Sequence, residues 1–164
     1  RGEITLGSWD GGSSDVAERV GEAFGVTALD TTVSPEMPRR LWEKLAVNAG
    51  INAVTALARV PNGGVVDGPA EWVARAATRE AARTARDHGI DLDVEATVET
   101  TLAVAESTAR NDSSMLQDIE AESQTEVDAI NGYVAENAER TTPVNETLTR
   151  LVRAWEREHA EPSP

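Results

Sequence analysis

The sequence predicts a mainly α-helical fold, a helical bundle domain that is preceded by a short β-α-β segment. Strand-like alternation of apolar and polar residues is confined to residues 1–34, whereas residues 35–160 form successive stretches with helical patterning. The 164 residues suffice for one ordinary domain with a sizeable core. No stretch approaches the ~20 apolar residues that a membrane-spanning helix needs.

The N-terminal segment is predicted to contain two strands and one helix. Glu3–Leu6 alternates like a strand, Ser13 or Ser14 can cap a helix that runs to Phe24, and Val26–Leu29 is a second candidate strand. Two short strands make a poor sheet by themselves, so we interpret this segment as the tail of a larger α/β domain. Because the chain also starts without methionine, we expect it to be a piece of a longer protein.

The domain that follows, residues 35–160, is predicted to be entirely helical. Proline suits the first turn of a helix, whereas clusters of proline, glycine and asparagine end one. On these signals the predicted helices run from Pro38 to about Val60, from Pro69 to His88, from Val94 to Arg110, from Ser114 to about Arg140, and from Asn145 to about His159.

The charge of the chain limits its partners. It has 29 acidic and 15 basic residues, a net charge of −14, so we expect it to bind neither nucleic acid nor an anionic membrane surface. It has no cysteine, and His88 and His159 are far apart, so we expect no zinc site. The acidic composition is typical of proteins from salt-rich cytoplasm, but an ordinary acidic surface from an arginine-rich genome explains it equally well.

The only lysine of the chain, Lys44, stands at the start of an uncharged stretch, whereas the other fourteen basic residues are arginine. Asn48 and Asn52 follow at helical spacing and drift by only about 40° per step, so the three side chains form one stripe about 12 Å long, which Thr55 extends. Lysine suits proton transfer because its pKa shifts readily, whereas arginine stays charged. The stripe either lines a cleft and meets a polar ligand or is the exposed edge of a partly buried helix.

Two further polar features carry weaker signals. Ser114 and Gln117 have the spacing of a capping box, and a helix start with free N–H groups and hydroxyls is also an anion site, although simple capping explains most such sequences. Glu126 lies farther along the same predicted helix. A lone glutamate is usually a surface residue, and physical arguments do not separate this one from other glutamates of the chain.

Five short motifs stand in register over about residues 38–155. They are Lys44-Leu45-x-x-Asn48-x-x-x-Asn52, Pro61-Asn62-Gly63, Ser113-Ser114-Met115-Leu116-Gln117-Asp118, Thr125-Glu126-Val127-Asp128-x-x-Asn131-Gly132 and Pro143-x-Asn145. In this order and spacing they resemble the C-terminal domain of the ketopantoate reductase (2-dehydropantoate 2-reductase) family.

The resemblance implies a cytoplasmic two-domain enzyme of pantothenate and coenzyme A biosynthesis. Its own N-terminal Rossmann domain would hold most of NADPH, and its helical C-terminal domain would close over a 2-keto acid, ketopantoate, which is reduced to pantoate. A homodimer is one assembly that the resemblance leaves open. No G-x-G-x-x-G motif with the spacing of a dinucleotide site occurs in the chain, so we expect this piece alone to be inactive.

The resemblance also assigns roles to individual residues. Lys44 matches the general acid of the family, and Asn48, Asn52 and Asn62 match residues that contact the substrate. Further matched residues are Asn111, which lines the cleft, Ser114, which binds the carboxylate end of the substrate, and Glu126, which touches the cofactor.

Elementary chemistry agrees with the implied role of Lys44. Hydride delivery to a ketone places negative charge on oxygen, and a positioned ammonium stabilises that charge and supplies the proton. Two other functions stay open: a related reductase of another 2-keto or 3-hydroxy acid, and a helical dimerisation module without chemistry.

Overall fold

The computed structural model of the chain describes residues 3–25 and 30–160. The chain divides into two compact units, Arg1–Trp42 and Glu43–Pro164. Helices dominate, and the described strands form one two-stranded sheet, so the predicted mainly α fold with a small β-α-β segment is confirmed. No helix within the described ranges is long and apolar enough to cross a membrane.

The first unit contains the small sheet and one short helix. Strand β1 (Glu3–Leu6) pairs in parallel with strand β2 (Asp30–Val33), and helix α1 (Asp15–Phe24) lies between them in sequence. Ser14 caps α1 by accepting a hydrogen bond from the N–H of Ala17. Parallel strands need such a crossover connection.

The second strand differs from its prediction. The candidate strand Val26–Leu29 lies outside the described residues, and the strand that pairs with β1 is formed by Asp30-Thr31-Thr32-Val33. Its β-branched threonines and valine favour an extended backbone. The predicted domain boundary at Pro35 stays a prediction beside the observed division after Trp42.

The second unit is built from helices. After α2 (Met37–Ala58) and a short 3₁₀ turn (Asn62–Val65), the chain forms α3 (Pro69–Asp87), α4 (Val94–Ser107), α5 (Ser114–Glu120), a π-helical turn (Asp128–Gly132), α6 (Tyr133–Asn137) and α7 (Pro143–His159). The first, second, third and last predicted helices of this domain are therefore confirmed, with ends that differ by a few residues.

The core of this unit is rich in alanine, which lets helices approach closely. Ala49 and Ala53 on α2 and Ala74 and Ala77 on α3 are completely buried. Gly50 permits a close approach, because a side chain there would collide with Thr78 and Thr101. Small side chains also leave backbone carbonyls accessible to polar groups of neighbouring helices.

The prediction of one helix from Ser114 to Arg140 is wrong, because a non-helical stretch separates α5 from the π-helical turn, which continues directly into α6. Helix α5 ends at Glu120, and Glu122 adopts a left-handed backbone with a φ of 52°. The N–H and hydroxyl of Thr125 then both donate hydrogen bonds to Glu156 on α7, at 2.8 and 2.7 Å. These contacts stabilise a non-helical backbone where the local sequence allows a helix.

Candidate functional site

The polar stripe on α2 runs from the surface into the interior. Lys44 is exposed, Asn48 is half-buried, Asn52 retains 7% exposure and Thr55 retains none. Among the residues that the structure describes, none forms a hydrogen bond or ion pair with the Lys44 ammonium. The stripe therefore combines an accessible cation at one end with buried, hydrogen-bonded groups at the other.

The buried end of the stripe contacts the start of α5. The Thr55 hydroxyl lies 2.8 Å from the carbonyl oxygen of Ile51, to which it donates, and 2.7 Å from Ser113 Oγ. Because the single Thr55 proton is directed to a backbone carbonyl, the Ser113 hydroxyl can donate to Thr55. Ser113 Oγ in turn accepts from the N–H of Leu116 at 3.1 Å.

Ser113 therefore caps α5, and the prediction that Ser114 is the cap is wrong. Ser114 is the first residue of the helix, with an exposed side chain whose hydroxyl lies 3.4 Å from Asn52 Nδ2. The structure thus brings together Asn52 and Ser114, two residues that are 62 positions apart in the sequence.

The turn that follows α2 places two more predicted residues side by side. The N–H of Asn62 donates to the carbonyl of Asn111 at 2.9 Å, and the N–H of Gly63 donates to the carbonyl of Ala109 at 3.2 Å. Asn62 is buried, whereas the Asn111 side chain is exposed. These backbone contacts fix the 3₁₀ turn against the segment before α5.

The amide of Asn62 has a defined direction. The Thr108 hydroxyl donates its one proton to the carbonyl of Val104 at 2.7 Å, so its oxygen must accept from Asn62 Nδ2, 3.0 Å away. Asn62 Oδ1 is then a buried acceptor without a partner among the described residues. Such a group costs stability, and a ligand hydroxyl could satisfy it.

Glu126 lies near another acidic side chain, that of Asp118 on α5. Its side chain is exposed, and no hydrogen bond between described residues joins it to the α2 stripe. Burial together with the negative charges of Glu126 and Glu156 raises the pKa of Asp118. Within the described ranges, no three acidic or histidine side chains converge to hold a metal ion.

Two surface clefts lie apart from these residues. One has a volume of about 500 Å³ and is lined by Arg83, Arg86 and Arg140 together with Asp87, Val94 and Glu95. The other, of about 440 Å³, lies along α6 and the start of α7. Neither is lined by a predicted site residue.

Sequence reasoning missed two residues that shape the site. Ser113 and Thr108 fix the directions of Thr55 and Asn62 through contacts that span 58 and 46 residues. Ser113 stands beside the predicted Ser114, so the serine pair was a visible signal. No sequence signal distinguished Thr108, because hydroxyl residues at helix ends are common.

Comparison with known proteins identifies the class of helical domain that carries this arrangement. The sequence model described as "Ketopantoate reductase PanE/ApbA C terminal" matches residues 36–156. The chain belongs to this family of ketopantoate reductase C-terminal domains.

Individual relatives agree with this family assignment. The chain is 40% identical over 161 residues to the 2-dehydropantoate 2-reductase of Halobacterium salinarum, covering 96% of this chain and 53% of the relative. It is also 40% identical over 159 residues to that of Archaeoglobus fulgidus, covering 94% and 53%. The chain thus spans about half the length of the curated relatives it matches.

Solved structures share the fold. The PanE/ApbA family ketopantoate reductase of Ralstonia eutropha superposes with a TM-score of 0.84 at 27% identity, over 97% of this chain and 53% of that one. A D-mandelate dehydrogenase in complex with NADH gives a TM-score of 0.87 at 23% identity, over 96% and 55%. At that identity the second likeness concerns the fold alone.

Proposed function

We propose that the chain is the C-terminal, substrate-binding and catalytic part of an enzyme that reduces 2-dehydropantoate to pantoate with NADPH. One observation carries the proposal: the only lysine of the chain lies exposed on the same face of α2 as Asn48 and Asn52, in a domain of the ketopantoate reductase family. In this proposal the protein is a cytoplasmic enzyme of pantothenate biosynthesis.

Lys44 is the general acid of the proposed reaction. As the ketone carbon gains a hydride, its oxygen gains negative charge, and the Lys44 ammonium stabilises that charge and transfers a proton to it. The product is a secondary alcohol, and Lys44 is left as a neutral amine that regains its proton from water. The exposed position of Lys44 supports this role because the ammonium is free to meet a ligand.

The neutral polar residues orient the substrate. Asn48 and Asn52 lie one and two turns beyond Lys44 and can hydrogen-bond substrate oxygens without competing for the proton. Asn62 offers its buried Oδ1 as an acceptor, which suits the hydroxyl of ketopantoate. Ser114 and Asn111 are both exposed near this turn; Ser114 is assigned to the carboxylate end of the substrate, and Asn111 is assigned to the lining of the cleft.

The cofactor is assigned mainly to another part of the protein. NADPH supplies the hydride when bound. The described residues contain no glycine-rich turn of dinucleotide-binding spacing. We therefore assign the NADPH phosphates to an N-terminal Rossmann domain, and in this chain we assign a cofactor contact to Glu126. We name NADPH rather than NADH as the cofactor because of the family resemblance, although a dehydrogenase of similar fold has been solved with NADH.

A homodimer is part of the proposal. It draws on a dimeric ketopantoate reductase from Staphylococcus aureus whose structure superposes with a TM-score of 0.83 at 22% identity, a likeness of fold. Sedimentation of the full-length protein decides this point.

The function is tested by the consumption of NADPH in the presence of ketopantoate. We expect turnover by the full-length protein and none by residues 1–164 alone, which circular dichroism should nevertheless show to be helical. A panel of 2-keto acids, including the keto acid related to mandelate, separates ketopantoate reduction from a related activity. Full-length protein that reduces none of them would favour the dimerisation module instead.

We also propose that the helical domain begins near Pro35 and that residues 1–34 are the C-terminal tail of the nucleotide-binding domain. Because the chain is divided into compact units after Trp42, the test compares two N-terminal truncations, one that starts at residue 35 and one that starts at residue 43. We expect the longer piece to keep its helical signal and unfold cooperatively. Loss of cooperative unfolding in that piece would place the first segment within the helical core.

A further inference from the structure

Two buried asparagine amides and the Glu80 carboxylate form a hydrogen-bonded line that joins three elements of the helical unit to α2. Asn131 from the π-helical turn and Asn145 from α7 are completely buried, and Glu80 comes from α3. Asn145 Nδ2 donates to Glu80 Oε2 at 2.7 Å and to the carbonyl of Ala77 at 3.0 Å. These contacts tie the start of α7 to α3.

The chemistry of the line fixes the direction of each amide. A carboxylate and a carbonyl only accept hydrogen bonds, so Asn145 must turn its NH₂ group to Glu80 and Ala77. Its Oδ1 then accepts from Asn131 Nδ2 at 2.9 Å. Glu80 is held in turn by the backbone N–H groups of Val144 and Asn145, at 3.0 and 2.9 Å.

The line ends on the stripe-bearing part of α2. The second N–H of Asn131 Nδ2 donates to the carbonyl of Ala49 at 3.0 Å. Ala49 follows Asn48 directly and precedes Asn52 by three residues, so this bond holds the turn of α2 that joins the two asparagines. Asn131 thus links the buried line to the candidate site.

We propose that Asn131 is a positioning residue for Asn48 and Asn52, and that Asn145 and Glu80 hold it in place. The proposal rests on the proposed function, since it names how the substrate-orienting turn of α2 is held. Asn131 donates to a backbone carbonyl of α2, and no hydrogen bond between described residues joins it to a side chain assigned to substrate or cofactor.

Two features favour positioning over simple core packing. Asn131 lies in a π-helical turn, a rare distortion that is frequent at functional sites. Its Oδ1 is also buried without a partner among the described residues, which costs stability. An apolar side chain would avoid this cost, but it could not hold the Ala49 carbonyl in one place.

The test uses the full-length protein with Asn131→Ala, and Asn131→Ser as a milder variant that keeps one donor and serves if the first fails to fold. Thr149→Val is the matched control, because Thr149 on α7 is buried like Asn131 and its hydroxyl donates to the Asn145 carbonyl within its own helix. The measurements are kcat and KM for ketopantoate below the melting range, and the side-chain amide resonances of Asn48 and Asn52.

We expect Asn131→Ala to lower kcat/KM about 10- to 100-fold, since small misplacements remote from the chemistry have effects of this order. Asn131→Ser should fall between it and the wild type, and Thr149→Val should retain wild-type kcat/KM. In the double variant of Asn131→Ala and Asn52→Ala, the fold loss of kcat/KM should be smaller than the product of the two single losses. A strictly multiplicative loss, or an equal loss in the Thr149→Val control, would overturn the positioning role.

The resonances separate this proposal from the proposed function. If the full-length wild type does not reduce ketopantoate, the proposed function fails, and the positioning role is decided by the spectra alone. Shifts of the Asn48 and Asn52 amides in Asn131→Ala but not in Thr149→Val would support it. Unchanged amides would overturn it whatever the activity.

Discussion

The two ends of the α2 stripe are treated differently by the fold. Lys44 and Asn48 lie at the accessible end, with no hydrogen bond from Lys44 to a described residue, whereas Asn52 and Thr55 are buried and contact the start of α5. The same helix therefore has one accessible end and one end that is supported by contacts with α5. Functional groups on a rigid element with locked supporting contacts are held most accurately.

The largest effect should come from the accessible end. Lys44→Ala in the full-length protein should lower kcat by about 10²–10⁴-fold, because the reaction loses its general acid. Lys44→Arg should not restore it, since arginine does not give up its proton. Steady-state kinetics check this, with Arg83→Ala as a charge-matched control on an exposed part of α3. A kcat near that of the wild type would remove Lys44 from the mechanism.

Neighbouring asparagines should separate activity from stability. Asn48→Ala and Asn52→Ala should each lower kcat/KM about tenfold, the value of one hydrogen bond of roughly 1.4 kcal/mol. Only Asn52→Ala should also lower the melting temperature, by about 2–4 °C for each kcal/mol lost, because Asn52 is buried against Ser114. Equal melting temperatures for the two variants would contradict the distinction between the ends.

A smaller effect is expected where a supporting hydroxyl is removed. Thr108→Val deprives Asn62 Nδ2 of its acceptor and frees the amide to turn. KM for ketopantoate should rise about twofold to tenfold, since one hydrogen bond contributes about 0.5–1.5 kcal/mol. Thr100→Val is the control, because Thr100 makes the same type of bond to the carbonyl four residues before it. An unchanged KM would mean that Thr108 does not orient Asn62.

The smallest change in activity should follow at the buried end. Thr55→Val removes the contact with Ser113 and should lower the free energy of unfolding by about 0.5–1.5 kcal/mol while kcat stays unchanged. Thr55→Ser keeps the hydroxyl and should lose less. Chemical denaturation gives the stability and an NADPH assay gives kcat. A fall in kcat without loss of stability would show that Thr55 acts on the substrate.

Local signals predicted most of the helices and the common face of the stripe. Helical spacing places Lys44, Asn48 and Asn52 in one line whatever the partners of α2 are, and α2 runs from Met37 to Ala58 where a helix from Pro38 to about Val60 was predicted. The roles of the site residues stay predictions, since spacing shows which side chains share a face but not what they bind.

Contacts between distant residues account for what local signals missed. No proline or glycine predicts the break after α5. The break depends on the hydrogen bond from Thr125 to Glu156, which lies 31 residues farther along the chain. The choice of Ser113 over Ser114 as the cap involves Thr55 on α2. The direction of Asn131 depends on Asn145 and, through it, on Glu80, which no local pattern distinguishes from other glutamates.

The single lysine of the chain offers a unique side chain for the attachment of a spectroscopic label. Lys44 carries the only side-chain amine among these 164 residues, and that amine is exposed. Besides the N-terminal α-amino group, reductive methylation with ¹³C-formaldehyde would therefore label one side chain, that of the proposed proton donor, with arginines left unmodified. Its chemical shift would report the ionisation of this single group through a titration, without any substitution in the protein.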